Sequence, residues 1–224
     1  MSDEGRVRHS QAQNAEVVSD DHEKAIQEAA NSLRQAERVR EYVLGALDGR
    51  PFKLRVSTIL DLNRCAIEHL DSYAGNFRPA GIAIGASQHT PPGGHLVPEL
   101  VEDMCDYVND NWEAKSAVHL ASFVMWRLNW IHPFTDGNGR TSRAVSYLIL
   151  CVRQGMLLPG KETIPEQIVA NRQPYYEALE DADAKHKNAD GFPDDVVSKM
   201  EDLMGGMLAV QLKSAFEHAT GQAE

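Results

Sequence analysis

The stretch that most restricts how this chain can fold runs from Ser116 to Trp130, Ser-Ala-Val-His-Leu-Ala-Ser-Phe-Val-Met-Trp-Arg-Leu-Asn-Trp, where Arg127 is the one formal charge. Its residues are apolar on nearly all sides of a helix, and such a helix needs neighbours all round it. The rest of the chain supplies them. Ile26, Ala30, Leu33, Val39, Val43 and Leu47 recur at helical spacing between Ala25 and Leu47, and a second run covers Val56 to Tyr73. A third begins near Val97, with Pro98 in its first turn, and reaches Trp112. Another apolar helix is expected from about Arg140 to Leu157, with shorter ones near 164–170 and 173–184 and a long last one ending near His218. Gly49-Arg50-Pro51, Leu158-Pro159-Gly160 and Gly191-Phe192-Pro193 punctuate the series. Residues 74–95 differ: Gly75, Pro79, Gly81, Gly85, Pro91, Pro92, Gly93 and Gly94 rule out a long helix. There Ile82 and Ile84 alternate with Gly81, Ala83 and Gly85, the pattern of a short hairpin or flap. The fold class expected is all-α, a helical bundle with one small β-hairpin flap.

The domain organisation follows. Residues 1–22 are a flexible polar leader, 23–185 the main domain with its N-terminal helix, and 186–224 a C-terminal helix packed on it. No run of apolar residues is long enough to cross a membrane, and the first residues lack the apolar centre of a secretory signal. Cys65, Cys105 and Cys151 form no metal or disulfide pattern; each is read as a small buried hydrophobe, which fits a reducing cytoplasmic setting. A net charge of −11 argues against a nucleic-acid surface, since phosphate neutralisation needs clustered Lys and Arg. It does not exclude a pocket for one polyphosphate.

The chemistry-bearing residues crowd between the two most apolar helices, in His132-Pro133-Phe134-Thr135-Asp136-Gly137-Asn138-Gly139-Arg140-Thr141-Ser142-Arg143. Pro133 removes a donor and forces His132 out of the helical region. Gly-Asn-Gly ahead of a helix lets successive amides point one way, an anion nest on the positive end of the dipole. Arg140 and Arg143 share one face of the first turn, where cations oppose that dipole unless an anion lies between them. Singly, each residue has an ordinary reading: Asp136 or Asn138 as a cap, the arginines as solvated charges, His132 as a loop histidine. Within twelve positions, together, they read as a phosphate site with a base beside it.

This stretch resembles the signature of the Fic family, His-x-Phe-x-(Asp/Glu)-Gly-Asn-Gly-Arg-x-x-Arg, and matches it at every fixed position. Residues 82–92 resemble that family's flap, and Asn171 to Leu179 its downstream helix. The resemblance implies a protein adenylyltransferase that moves AMP from ATP to a Tyr, Thr or Ser hydroxyl of a target protein. It implies His132 as the catalytic base, and an imidazole's ordinary pKa near 6.5 suits that task. Phe134 would anchor the loop, Asp136 would hold Mg²⁺ and Gly137, Asn138 and Gly139 would cradle the phosphates. Arg140 and Arg143 would hold the β- and γ-phosphates. Ile82, Ala83, Ile84 and Gly85 would pair with an extended target segment by strand addition.

Other readings remain beside this one. Doc-like relatives phosphorylate their targets and carry Lys where this chain has Gly139; others transfer phosphocholine or remove AMP. A non-catalytic binding module of the same fold would have no use for His132 or Asp136. The inhibitory (Ser/Thr)-x-x-x-Glu-(Gly/Asn) motif of many relatives is not matched: Ser19 to Glu23 has the spacing but is followed by Lys24. Glu28, with Asn31 nearby, is the other inhibitory candidate, through a pair with Arg143, and an antitoxin-like partner is the alternative. His89, His95 and His132 match no standard zinc spacing. His119 is read as a hydrogen-bonded core residue, Tyr175-Tyr176 as packing, and Glu177, Glu180, Asp181 and Asp183 as a solvated helix face.

Overall fold

The structure, a computed structural model, describes residues 10–11, 17–18, 20–49, 51–79, 83–84, 89–187 and 191–221. Eight α-helices follow one another among them: α1 (Asp21–Leu47), α2 (Val56–Ile67), α3 (Val97–Asp110), α4 (Ala117–Ile131), α5 (Asn138–Gln154), α6 (Ile164–Ala170), α7 (Gln173–Lys187) and α8 (Ser198–Thr220). A short 3₁₀ turn, Gly94–Leu96, leads into α3.

The apolar stretch of the sequence is α4, and it sits where its composition requires. Leu120, Phe123, Val124, Met125 and Trp126 are wholly shielded from solvent. Helix α5 is nearly as enclosed, with Val145, Leu148, Ile149 and Leu150 in the same core. Helices α1 and α2 pack on one side, α3 on another, and α7 and α8 on a third. Met200 and Met204 of α8 enter the core, where Ser122 donates to the Met204 sulfur at 3.3 Å.

Local chemistry sets the ends. Asp20 caps α1, its carboxylate accepting from the amides of His22 and Glu23 at 3.0 and 2.8 Å. Helix α1 therefore starts within the stretch read as leader. Helix α2 stops at Ile67, short of the expected Tyr73, where the chain turns through His69 at φ 66°. Gly155, at φ 71°, ends α5 three residues before the Leu-Pro-Gly stop.

The inner stripe of α1 is part polar. Asn31 and Gln35 are buried and donate to carbonyls of α2 and its C-cap, Asn31 to Glu68 at 2.9 Å and Gln35 to Leu62 at 2.9 Å. These satisfied amides fix the rotation of α1 against α2 more strictly than apolar contacts would. His119 is the hydrogen-bonded core residue expected: its Nε2 meets the Tyr107 hydroxyl at 3.0 Å and its Nδ1 the Glu201 carboxylate. The three cysteines are buried and free.

The flap differs from its expectation. No hairpin is present among the described residues of 74–95; the segment contributes one strand, β2 (Ala83–Ile84). Its antiparallel partner is β1 (Ser10–Gln11), from the leader, in the register Ser10 opposite Ile84 and Gln11 opposite Ala83. Ile82 and Gly85, read as flap positions, lie outside the described residues. Asp183 also departs from the solvated face assigned to it, since it accepts from the Trp126 indole at 2.8 Å.

Candidate active site

The loop from His132 to Gly137 joins α4 to α5, two helices that cannot move apart without exposing the core. His132 is the C-terminal cap of α4 at φ 52°, ψ 58°, a left-handed conformation that a non-glycine residue rarely adopts. Pro133 does displace it from the helical region, and the surroundings then fix it. Its amide donates to Leu128 at 2.9 Å. Arg78, buried at 3% exposure, donates from Nε to the His132 carbonyl at 2.7 Å, and its own amide donates to the Pro133 carbonyl at 2.9 Å. The Nη2 of the same guanidinium reaches the Pro92 carbonyl, beyond the flap.

The ring is oriented as firmly as the backbone. His132 Nδ1 lies 3.2 Å from the Asn129 carbonyl, so Nδ1 carries the hydrogen and the neutral ring keeps its lone pair on Nε2. Asn129 is itself pinned: its side-chain nitrogen shares its two hydrogens among the Met125 carbonyl, the Ser142 hydroxyl and the Tyr175 hydroxyl, between 2.6 and 2.8 Å. Helices α4, α5 and α7 are thus tied together one turn before the histidine.

Phe134 anchors the loop as expected; it is 1% exposed, with its ring centroid 6.0 Å from that of Phe77. Asn138 does not cap α5. Its side chain turns back and clamps Phe134, accepting from the Phe134 amide and donating to the Phe134 carbonyl, both at 2.9 Å. The N-cap is Gly137 at φ 75°, with no side-chain cap bond. A Cβ there would lie 2.7 Å from Ile67 Cγ2, so the position demands glycine on grounds of space as well as torsion. Asn63 of α2 supports this turn, donating to the Asp136 carbonyl at 3.1 Å and accepting from the Gly75 amide at 3.0 Å.

Among the described residues the amides of Gly139 and Arg140 donate to no protein atom, as the first turn of a helix leaves them. The two arginines over that turn are in different states. Arg140 is held by Asp136 at 2.7 Å and by Glu28 of α1 at 3.6 Å. Arg143 makes no hydrogen bond or ion pair among the described residues. Burial pushes its guanidinium below the usual arginine range; the Tyr175 hydroxyl acts against that shift, while Arg172 and Arg140 add to it. Those three cationic side chains near one helix N-terminus repel one another, and an anion between them would relieve it. Glu28 therefore meets Arg140 rather than the Arg143 named from the sequence. Glu23 is exposed and makes no ion pair among the described residues.

Asp136 has a carboxylate neighbour. Asp71 is buried, its carboxyl raised above the usual range first by that burial and further by the charge of Asp136. Among the described residues no three His, Cys, Asp or Glu side chains gather to enclose a metal. Sequence reasoning missed Asn63, Arg78 and Asn129. None of the three belongs to a spaced motif, and each acts through carbonyl groups that only the folded chain brings within reach.

Comparison with known proteins agrees with this geometry. Residues 53–150, from the approach to α2 to near the end of α5, match the family model described as the Fic/DOC family. Over that stretch the chain is similar to the Fic/DOC family. The chain is 32% identical over 132 residues to a protein adenylyltransferase fic-1 of Caenorhabditis briggsae, an overlap of 57% of this chain and 24% of that protein. It is 29% identical over 161 residues to a protein adenylyltransferase Fic of Nematostella vectensis, covering 68% of this chain and 34% of the relative. The chain thus spans about a quarter to a third of the length of these curated relatives. A solved Fic-domain-containing signaling protein from Bacteroides thetaiotaomicron superposes with a TM-score of 0.68 over 88% of this chain and 74% of its own, at 19% identity. That likeness is one of fold.

Proposed function

We propose that this protein is an adenylyltransferase that transfers AMP from ATP to a Tyr, Thr or Ser hydroxyl of a target protein. The observation that carries the reading is the pairing of two features across one loop. His132 has its Nε2 lone pair set by the Asn129 carbonyl, and an uncommitted arginine and open amides stand over the next helix start. The reaction those parts suit is in-line displacement at the α-phosphorus. The target hydroxyl oxygen bonds to phosphorus, the α–β bridging bond breaks, pyrophosphate leaves with the bond electrons, and the hydroxyl proton passes to His132 Nε2. The amides of Gly139 and Arg140, with the Arg143 guanidinium, supply fixed donors for the phosphate charge.

Asp136 is the residue that would hold Mg²⁺. A magnesium ion carried by a polyphosphate needs only one or two carboxylates, the rest of its shell being phosphate and water oxygens. Asp136 fits that demand: it is partly exposed, and among the described residues its carboxylate pairs with one side chain, Arg140. Bound there, the ion would neutralise charge on the phosphates. Arg140 would exchange one anionic partner for another.

Gly139 favours AMP transfer over phosphoryl transfer, because the Doc-like lysine is missing from that position. The retained His132 and Asp136 favour an enzyme over a binding module. A cytosolic setting suits three free buried cysteines, and no described helix is long and apolar enough to cross a membrane. The Glu28–Arg140 pair supports a second reading, in which α1 restrains the site by occupying a phosphate-binding cation; an antitoxin-like partner would restrain it from outside. Intact-mass spectrometry after incubation with ATP and Mg²⁺ tests the main proposal. Self-labelling with AMP should appear, and His132→Ala should lower it by about 10²–10⁴-fold, the usual worth of a positioned base. Wild-type labelling in His132→Ala would remove the assignment.

A further inference from the structure

The flap strand already has an occupant. We propose that residues 10 and 11 of the leader hold the edge of the flap that a target segment would use, so that a target must displace the chain's own strand before it can be modified. The inference rests on reading the flap as the docking edge.

Three observations carry it. First, β1 pairs antiparallel with β2, Ser10 opposite Ile84 and Gln11 opposite Ala83, which is the geometry of strand addition with the donor supplied in cis. Second, the flap is moored beside the catalytic loop at both ends. Before it, the Arg78 side chain grips the His132 carbonyl; after it, His89 donates through Nε2 to the Trp130 carbonyl at 2.7 Å. Between these moorings Ile84 is buried. The flap strand is thus strung between two contacts, one with the catalytic loop and one with the end of α4. Third, the leader is tethered close by. The Val17 amide donates to the Leu70 carbonyl at 3.0 Å, and Asp20 then caps α1. The six steps from Gln11 to Val17 can span at most about 20 Å, which keeps the strand within reach of the flap.

The leader has no apolar periodicity with which to pack, and a two-residue ladder offers few hydrogen bonds. Its advantage is the tether. A short covalent connection presents a segment to its site at an effective concentration on the order of millimolar. A free extended peptide must bind the edge with a dissociation constant well below that to replace it. Weak peptides are thereby refused while a true target, with additional contacts, is admitted.

The test uses the full chain and no nucleotide, so it can fail while transfer activity stands, and the reverse. In Ser10→Pro/Gln11→Pro the leader cannot donate to the flap. Amide exchange at whichever of Ala83 and Ile84 turns its N–H toward the leader should become at least about tenfold faster in that variant, with the melting temperature unchanged. A synthetic peptide of residues 6–16 should bind the variant at least about tenfold more tightly than it binds the unaltered chain. Equal exchange in the two proteins overturns the proposal, as does equal or undetectable peptide binding. Flap protection that rises with protein concentration would assign the strand to a second copy and overturn the intramolecular arrangement.

Discussion

Arg78→Met tests how the catalytic loop is held. The guanidinium is buried and forms two short hydrogen bonds, to the His132 carbonyl at 2.7 Å and to the Pro92 carbonyl, with a longer one to Ile131 at 3.4 Å. Hydrogen bonds from a charged donor contribute about 1.5–3 kcal/mol each, and an abandoned buried carbonyl adds its own desolvation cost. Two effects oppose this loss. Burial already lowers the affinity of Arg78 for its proton, so the charge is held at some expense. Releasing His132 from its left-handed torsion would also return about 1–2 kcal/mol. The net expectation is a destabilisation of about 2–4 kcal/mol. Equilibrium unfolding in urea, followed by the fluorescence of Trp126 and Trp130, measures it, with an unchanged slope showing that the unfolding reaction is the same. Arg78→Lys should recover less than half, because a single ammonium cannot serve carbonyls on both sides of the fork. A loss below about 1 kcal/mol for Arg78→Met, or full recovery by Lys, would refute the claim that this side chain sets the loop.

Three further variants have definite expected outcomes. Asp136→Ala should raise the Mg²⁺ concentration needed for half-maximal transfer by about tenfold or more, and undiminished transfer in excess chelator would contradict that role. Its effect on stability should stay within about 0.5 kcal/mol, since the pair it forms with Arg140 is a partly exposed i,i+4 contact. Glu28→Gln should raise self-labelling by only about two- to fivefold, because a 3.6 Å pair with side chains 23% and 45% exposed is worth about 0.5–1 kcal/mol. Glu23→Gln should leave labelling unchanged, and no effect in Glu28→Gln would remove α1 as a restraint.

The sequence disclosed whatever is periodic or concentrated. The enclosed character of α4 follows from residues 116–130, and the phosphate-facing groups stand within twelve consecutive positions. It could not disclose contacts between a side chain and a distant carbonyl, which is why Arg78, Asn63 and Asn129 escaped notice. Each is a polar residue with many roles open to it until the fold is known. Asn138 shows the same limit inside the motif. Its type suited a helix cap, yet the side chain closes on Phe134, because Gly137 in a left-handed conformation turns the chain before α5 begins. The flap misled for a different reason. Alternation of Ile82, Ala83 and Ile84 signals a strand but does not name its partner, and the partner lies in a leader with no pattern of its own.

The loop between α4 and α5 has no hinge. Its two ends continue into helices with almost no exposed surface, and its middle is stapled by Phe134 in the core. Small regional openings, the kind that let a surface loop exchange its amides thousands of times before a domain unfolds, are closed to it. Its protection should track that of α4 itself, and thermal inactivation should coincide with global melting in one cooperative step. Any ligand must then be accommodated around a centre that stays still.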